Sequence, residues 1–369
     1  MRFLTADYLY PLYTNPIKKG VLQVSDTGEV IAIFENRAVI PKKKLEIFDG
    51  ILCPGFVNAH CHLELSHLLG ETDKGKGFLN FVGNVRKRND FSKKKIQKAI
   101  AAKEQQMIKN GIVAVGDICN TSDTFLQKKK QNLMYYNFIE VFGVKDELIA
   151  QITTEAKVLR NKFREAGQKA TISPHAPYSV LPKLMKAIST SLDNEDILLT
   201  IHIQETHEEN QLFERKEGKL KEWLENINAS PEIWKGREKS VDILTELEVE
   251  KLMLVHNTFT KKKDLSENYY CTCPKANIYI ENTLPDYSIF NPNQLCLGTD
   301  SLASNDSLSI LEELLVIKEN SNFDLNTLLK IACKNGAEAL GFSNLGAFER
   351  GKTPGVNLIS ELKKISVIA

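Results

Sequence analysis

From residue 51 onward the chain alternates short apolar runs with longer amphipathic stretches. The runs are ILCPGFVNAH (51–60), GIVAVGDIC (111–119), LMYYNFIEVFG (133–143), ATISPHAPYS (170–179), ILLTIHIQE (197–205), KLMLVHN (251–257), NYYCTCPKAN (268–277) and QLCLGTDS (294–301). Between them, KKKIQKAIAAKEQQMIKN (93–110), TTEAKVLRNKFREAG (153–167) and LPKLMKAISTSL (181–192) read as helices, and SLSILEELLVIKEN (307–320) follows the eighth run. Strand–helix alternation predicts an α/β protein with a parallel sheet, and eight repeats suggest closure into a (β/α)8 TIM-like barrel. Periodicity alone leaves an open doubly wound sheet as the alternative.

The first fifty residues follow another rule. GVLQVSDTGEVIAIFE (20–35) alternates apolar and polar positions around an Asp-Thr-Gly turn, the signal of an antiparallel hairpin. A similar stretch, GVNLISEL (355–362), lies near the other end. The expected organisation is a small composite β subdomain from residues 1–50 and 345–369, flanking a catalytic barrel over residues 51–344.

The histidines sharpen this picture. His60 and His62 end the first run, His175 the fourth, His202 the fifth and His256 the sixth, while Asp300 ends the eighth. In a parallel barrel the C-terminal strand ends share the rim where active sites are built, so residues distant in sequence converge. Side chains alternate along a strand, so His60 and His62 face the same way, with Cα atoms about 6.5 Å apart. Both rings can then reach one ion at roughly 2.0–2.1 Å. With His202 and Asp300 they make an N/O donor set suited to one divalent metal, zinc first, although ferrous iron would also accept it. A lone histidine is more often a satisfied core or surface residue. Five histidines and an aspartate at successive strand ends argue for the metal.

These segments resemble the amidohydrolase superfamily, in its deaminase and chlorohydrolase branch. PGFVNAHCH resembles the first-strand signature, SPHAPYS the fourth, HIQE the fifth, LVHN the sixth and GTDS the eighth, and CPKAN (273–277) and KNGAEALGF (334–342) also resemble family segments. The resemblance implies a (β/α)8 barrel with a β subdomain, one catalytic metal on His60, His62, His202 and Asp300, and hydrolysis at a carbon bearing a leaving group. Binuclear members carry a bridging lysine at the end of strand four. Here His175 stands there and Lys169 lies at the strand's start, which implies a mononuclear site. Gly355, Val356 and Asn357 stand where many relatives have an Ala-Asp pair, a departure remote from the site.

A divalent ion lowers the pKa of bound water to about 7, so hydroxide is available at neutral pH. In this scheme Asp300 takes a proton from the attacking water, and by resemblance Glu205 protonates a ring nitrogen of the substrate. His256 donates to or orients the attacking oxygen, and ammonia departs once its nitrogen is protonated. His175 positions substrate. NAHCHLELSHL looks most like the aminofutalosine deaminases, which implies an adenosine-like 6-aminopurine nucleoside carrying an aromatic carboxylate. Residues 63–90 are expected to cover the pocket, with Glu71 or Glu64 reading sugar hydroxyls and Arg86 or Arg88 pairing with an anionic substituent. His67 and His207 lie just beyond motifs and are weaker candidates. The alternative is another hydrolase of the branch, a guanine deaminase or a chlorohydrolase. A non-catalytic relic is disfavoured because all four ligands and Glu205 are present.

Composition adds exclusions. Forty-eight basic residues against 47 acidic give a net charge of +1, with no case for nucleic acid or an anionic membrane surface. The lysine clusters at 42–44, 93–95, 128–130 and 261–263 read as solvated loops and helix ends. The start lacks a signal-peptide pattern, and no apolar stretch is long enough to span a bilayer. Seven cysteines in presumed core strands fit reduced thiols and a cytoplasmic protein. Cys271 and Cys273 form a Cys-x-Cys without a second pair, expected as core or pocket wall. His-Leu-Glu (62–64) mimics half of the other zinc deaminase signature, but no Pro-Cys-x-x-Cys follows, and neither His-Glu-x-x-His nor a glycine-rich phosphate loop occurs. The expected partner is a small heterocyclic substrate. Relatives of this branch are often dimers, so a homodimer is the expected assembly.

Overall fold

A computed structural model describes every residue except 197 and 250, so the first position of the fifth run lies outside the described residues. The eight runs yield eight strands: Phe56–Cys61, Ile112–Cys119, Met134–Val141, Lys169–Pro174, Leu199–Ile203, Leu252–His256, Tyr269–Thr272 and Leu295–Leu297. They form two parallel four-stranded sheets, the first four strands in one and the last four in the other. Hydrogen bonds cross both seams. His202 N donates to His175 O (2.9 Å) at one, and Thr299 N and Asp300 N both donate to His60 O (3.0 and 3.1 Å) at the other.

Pleating sorts the strand residues between two apolar clusters. Met253 and Val255 join Tyr136 and Phe138 in one, while Leu252 and Leu254 join Tyr135 and Ile139 in the other. The second cluster also holds the helix residues Ile100, Met107, Phe163 and Leu184, so the amphipathic stretches cover the sheets as their periodicity predicts. Those helices are Lys93–Lys109, Ile149–Glu165, Pro182–Thr190 and Ile310–Asn320.

The terminal residues form two further sheets. Val21–Val24 and Val30–Phe34 make the expected antiparallel hairpin, packed beside Arg2–Thr5 and Leu45–Ile47. In the other, Val356–Ser360 pairs antiparallel with Ile51–Pro54, which pairs with Tyr8–Leu9. The run 51–60 is thus two strands. Its first half pairs with strands from the two ends of the chain, and at Gly55 the chain leaves that sheet for the first parallel one. The run 268–277 also divides, because Pro274 opens the helix Pro274–Glu281. Among the described residues no helix is long and apolar enough to cross a membrane.

Three of the four lysine clusters are exposed as expected, but Lys128 is buried. Its short helix, Phe125–Lys128, turns the ammonium inward onto the Asp117 carboxylate. A run of three lysines hides which one a four-residue helix directs into the interior.

Candidate metal centre

His60, His62, His202 and Asp300 converge, with one donor atom of each within 4.8 Å of the others. His62 Nε2 lies 3.2 Å from His202 Nε2 and 3.3 Å from Asp300 Oδ1. His60 Nε2 lies 3.6 Å from Asp300 Oδ1. Local backbone makes this convergence possible. Asp300 adopts φ 56° and His256 φ 72°, left-handed values that cost energy for residues with a Cβ and that gather where function holds them. A Cβ on Gly298 would stand 2.8 Å from His60 Cβ and 2.8 Å from His60 O, so only glycine lets the eighth strand end pass this close to the first.

Protonation follows from the partners. His202 Nδ1 lies 2.9 Å from the His175 carbonyl oxygen, which can only accept, so Nδ1 carries the proton and Nε2 presents a lone pair. Burial pushes the His62 imidazole down to about 3, with Asp300 opposing, and burial with the neighbouring imidazoles holds His202 well below its ordinary value. Burial alone would raise Asp300, yet His60, His62 and His256 hold it well below the usual carboxylate range. Near neutral pH the cluster therefore includes the neutral His62 and His202 rings and the Asp300 carboxylate. Both ring nitrogens of His60 are buried without a hydrogen-bond partner. An orphaned His60 Nε2 and two further Nε2 atoms facing each other would be costly alone, and a divalent cation between them would satisfy these three nitrogens, one from each ring. The donor set fits one such ion.

Beside it, His256 Nδ1 lies 2.9 Å from Asn277 Oδ1, while Asn277 Nδ2 reaches back toward His256 O. His256 Nε2 is left facing Glu205 Oε1 at 3.6 Å. Burial works against a charged His256, but Glu205 and Asp300 outweigh it and raise its pKa. Burial raises the Glu205 carboxyl, with His256 opposing.

These groups open on a cavity of about 1230 Å³ whose lining includes His62, His175, His202, Glu205, His256 and Asp300. Phe78, Phe81 and Val82 from the 63–90 segment also line it, as expected of a covering element. His175 is held by Ser179 Oγ (2.7 Å). Arg86 lies over the Trp223 ring (5.2 Å to its centroid) and Arg88 pairs with Glu64 (3.2 Å); both arginines line the cavity.

The two carboxylates expected to read hydroxyls do not reach the cavity. Glu71 is exposed and faces Lys95 at 3.7 Å, because the chain turns outward after Leu68. Glu64 is buried behind the wall, accepting from Thr121 Oγ1 (2.9 Å) and Thr121 N (3.0 Å). His67 faces Arg88 O at 3.3 Å outside the cavity lining, and His207 is exposed. Cys271 and Cys273 are buried, and Lys169 binds the carbonyls of Leu340 and Gly341 at the start of its strand.

Sequence reasoning missed Glu140. It lines the cavity, Oε2 accepts from Asn120 (2.9 Å), and Oε1 is buried without a hydrogen-bond partner 3.3 Å from His202 Nδ1. Burial pushes its carboxyl up to about 7. The available signal was an acid standing alone in the apolar stretch NFIEVFG. Asn277, within CPKAN, lies one helical turn after Pro274, a position that aims it at His256.

The model of the amidohydrolase family matches residues 51–367, and the chain belongs to that family. It is a hydrolase acting on carbon–nitrogen bonds. It is 28% identical over 334 residues to an adenosine deaminase of Helicobacter pylori, covering 85% of this chain and 80% of that protein. It is 27% identical over 371 residues to an aminodeoxyfutalosine deaminase of Deinococcus radiodurans, covering 92% and 86%. A crystal structure of Helicobacter pylori aminofutalosine deaminase in complex with methylthio-coformycin superimposes with a TM-score of 0.80 at 23% identity, over 98% of this chain and 92% of that one, so the fold is shared.

Proposed function

We propose that the protein is a metal-dependent hydrolytic deaminase of a 6-aminopurine nucleoside, adenosine-like or aminofutalosine-like, which releases ammonia. One observation carries the reading: Glu205 and His256 stand as an adjoining acid–base pair beside a His60, His62, His202 and Asp300 donor set, of which all but His60 line one large cavity. The deaminases among its relatives support it.

His60, His62, His202 and Asp300 would hold one divalent ion, zinc by the preference of imidazole and carboxylate donors. When bound, that ion supplies Lewis acidity and a hydroxide-level nucleophile at neutral pH. The remaining tasks fall to side chains. Glu205, buried and raised in pKa, keeps a proton to higher pH than an exposed glutamate, which suits it to protonate a ring nitrogen and make the adjacent carbon electrophilic. Asp300 accepts the proton of the attacking water, and His256, held by Asn277, orients the incoming oxygen. The amine leaves as ammonia once its nitrogen is protonated. His175 borders the ring site, and Arg86 and Arg88 face the substituent.

A cavity of about 1230 Å³ exceeds the roughly 300–1,000 Å³ common for small-molecule sites, which favours a nucleoside with a substantial substituent over a free base. The same reading takes the two parallel sheets as halves of one (β/α)8 barrel. Residues 1–54 and 345–369 form its β subdomain, and the chain works as a homodimer in the cytoplasm.

The test is ammonia release from adenosine, aminofutalosine, methylthioadenosine, guanine and cytosine by metal-free protein given zinc or ferrous iron. Turnover of the nucleosides supports the proposal. Turnover of a chlorinated heterocycle with none of the aminated ones would replace it by a chlorohydrolase.

A further inference from the structure

The end of the first strand that carries His60 and His62 does not follow a regular ladder. Its register with the second strand runs Asn58↔Val115 and then Cys61↔Asp117, three steps against two, so the chain bulges at Ala59 and His60. The second strand makes room with Gly116, where a Cβ would lie 2.3 Å from Ala59 O. Past the bulge, the amide of Leu63, the residue after His62, donates to a side chain instead of a ladder carbonyl: Leu63 N to Asp117 Oδ1, 2.8 Å.

Asp117 is fully buried, and a buried carboxylate needs a counter-charge. Lys128 supplies it. The Lys128 ammonium, itself buried, contacts the other Asp117 oxygen, donates to Asn137 Oδ1 at 2.7 Å and lies 3.2 Å from Cys119 Sγ. The same ammonium lies over the Tyr135 and Phe163 rings, 4.9 and 5.3 Å from their centroids. Burial pushes the Cys119 thiol up to about 12 and raises the Asp117 carboxyl too, but the Lys128 ammonium opposes the rise at Asp117 through charge and a hydrogen bond, so Asp117 is the counter-charge it contacts.

We propose that Lys128 is a positioning residue for the metal centre: acting through Asp117, it fixes the backbone immediately after His62 and thereby aims that imidazole at the ion. The inference rests on the metal-site reading above. A partner that orients a ligand from behind is commonly worth 10–100-fold in metal affinity.

The experiment measures Zn²⁺ affinity of the full chain by competition with a chromophoric chelator, and the visible spectrum of the Co²⁺ form. It compares wild type, Lys128→Met and the double variant Lys128→Met with Asp117→Asn. The single variant leaves the carboxylate without a counter-charge and is expected to bind Zn²⁺ 10–100-fold more weakly, with an altered Co²⁺ spectrum. In the double variant the carboxamide oxygen still accepts from Leu63 N with no charge to balance. Affinity and spectrum return to within about threefold of wild type if the pair acts as described. Thermal melts of the metal-free proteins separate folding from positioning. A folded Lys128→Met chain with wild-type affinity overturns the proposal. So does a folded double variant that binds more than tenfold more weakly than wild type, which decides the matter even if the single variant fails to fold. Failure of the wild type to bind Zn²⁺ at one ion per chain would instead remove the metal-site reading itself.

Discussion

Replacing Glu205 by glutamine separates proton transfer from binding. Glutamine has the same shape, its amide oxygen can face His256 as the carboxylate does at 3.6 Å, and it can still donate a hydrogen bond to a ring nitrogen. It cannot deliver a proton. The carboxyl is 6% exposed and its pKa is raised by burial, so it keeps a proton to higher pH than an exposed glutamate would. General acid catalysis of this kind contributes about 10²–10⁴-fold, equivalent to about 3–5 kcal/mol of barrier. Glu205→Gln should therefore lower kcat by that factor, with KM within about threefold and zinc content unchanged, because Glu205 is outside the donor set. The assay is steady-state ammonia release from the best nucleoside of the screen, with zinc measured on the same preparation. A variant retaining more than a third of wild-type kcat, or one that loses its zinc, would refute the role assigned to Glu205.

Arg86→Ala should raise KM about tenfold for a carboxylate-bearing nucleoside and leave neutral adenosine within about twofold, which paired kinetics would show; equal effects on both substrates would mean the arginine only packs on Trp223. His202→Ala protein, stripped with chelator and dialysed against Zn²⁺, should hold background metal and stay inactive, while wild type treated alike recovers one ion per chain and its activity. Glu209 is fully buried, accepts from Gln204 N at 2.8 Å, and burial pushes its carboxyl up to about 7. The folded state thus binds its proton more tightly than the unfolded chain, and the stability from this group is complete below about 4.5 and lost as pH rises through about 7. Urea unfolding of Glu209→Gln should show less of this decline, the gap from wild type moving by up to about 3 kcal/mol in the variant's favour between pH 4.5 and 7. Parallel curves would contradict it.

The candidate site was legible where chemistry coincided with strand ends. His60, His62, His202, His256 and Asp300 each close an apolar run, and a polar residue there has a rim to face. Glu140 and Asp117 were harder because each stands within a strand-like run, where sequence does not distinguish a residue aimed at the cavity from one bonded behind it. Lys128 was misread because neighbouring lysines are solvated, and only the tertiary placement of its short helix buries one of them. The split of run 51–60 was invisible to hydrophobicity, since both halves are apolar; it depends on Ile51–Pro54 finding a partner more than 300 residues away, in Val356–Ser360. Glu71 failed for a related reason, since the path of a covering segment follows from what it packs against.

The most direct measurement is a crystal structure of zinc-loaded protein with anomalous scattering recorded at the metal edge. The account predicts one peak per chain, within about 2.0–2.2 Å of a nitrogen of His60, His62 and His202 and of an Asp300 oxygen. A peak elsewhere, a second strong peak bridged by Glu140 and His175, or no peak among those four side chains would contradict it.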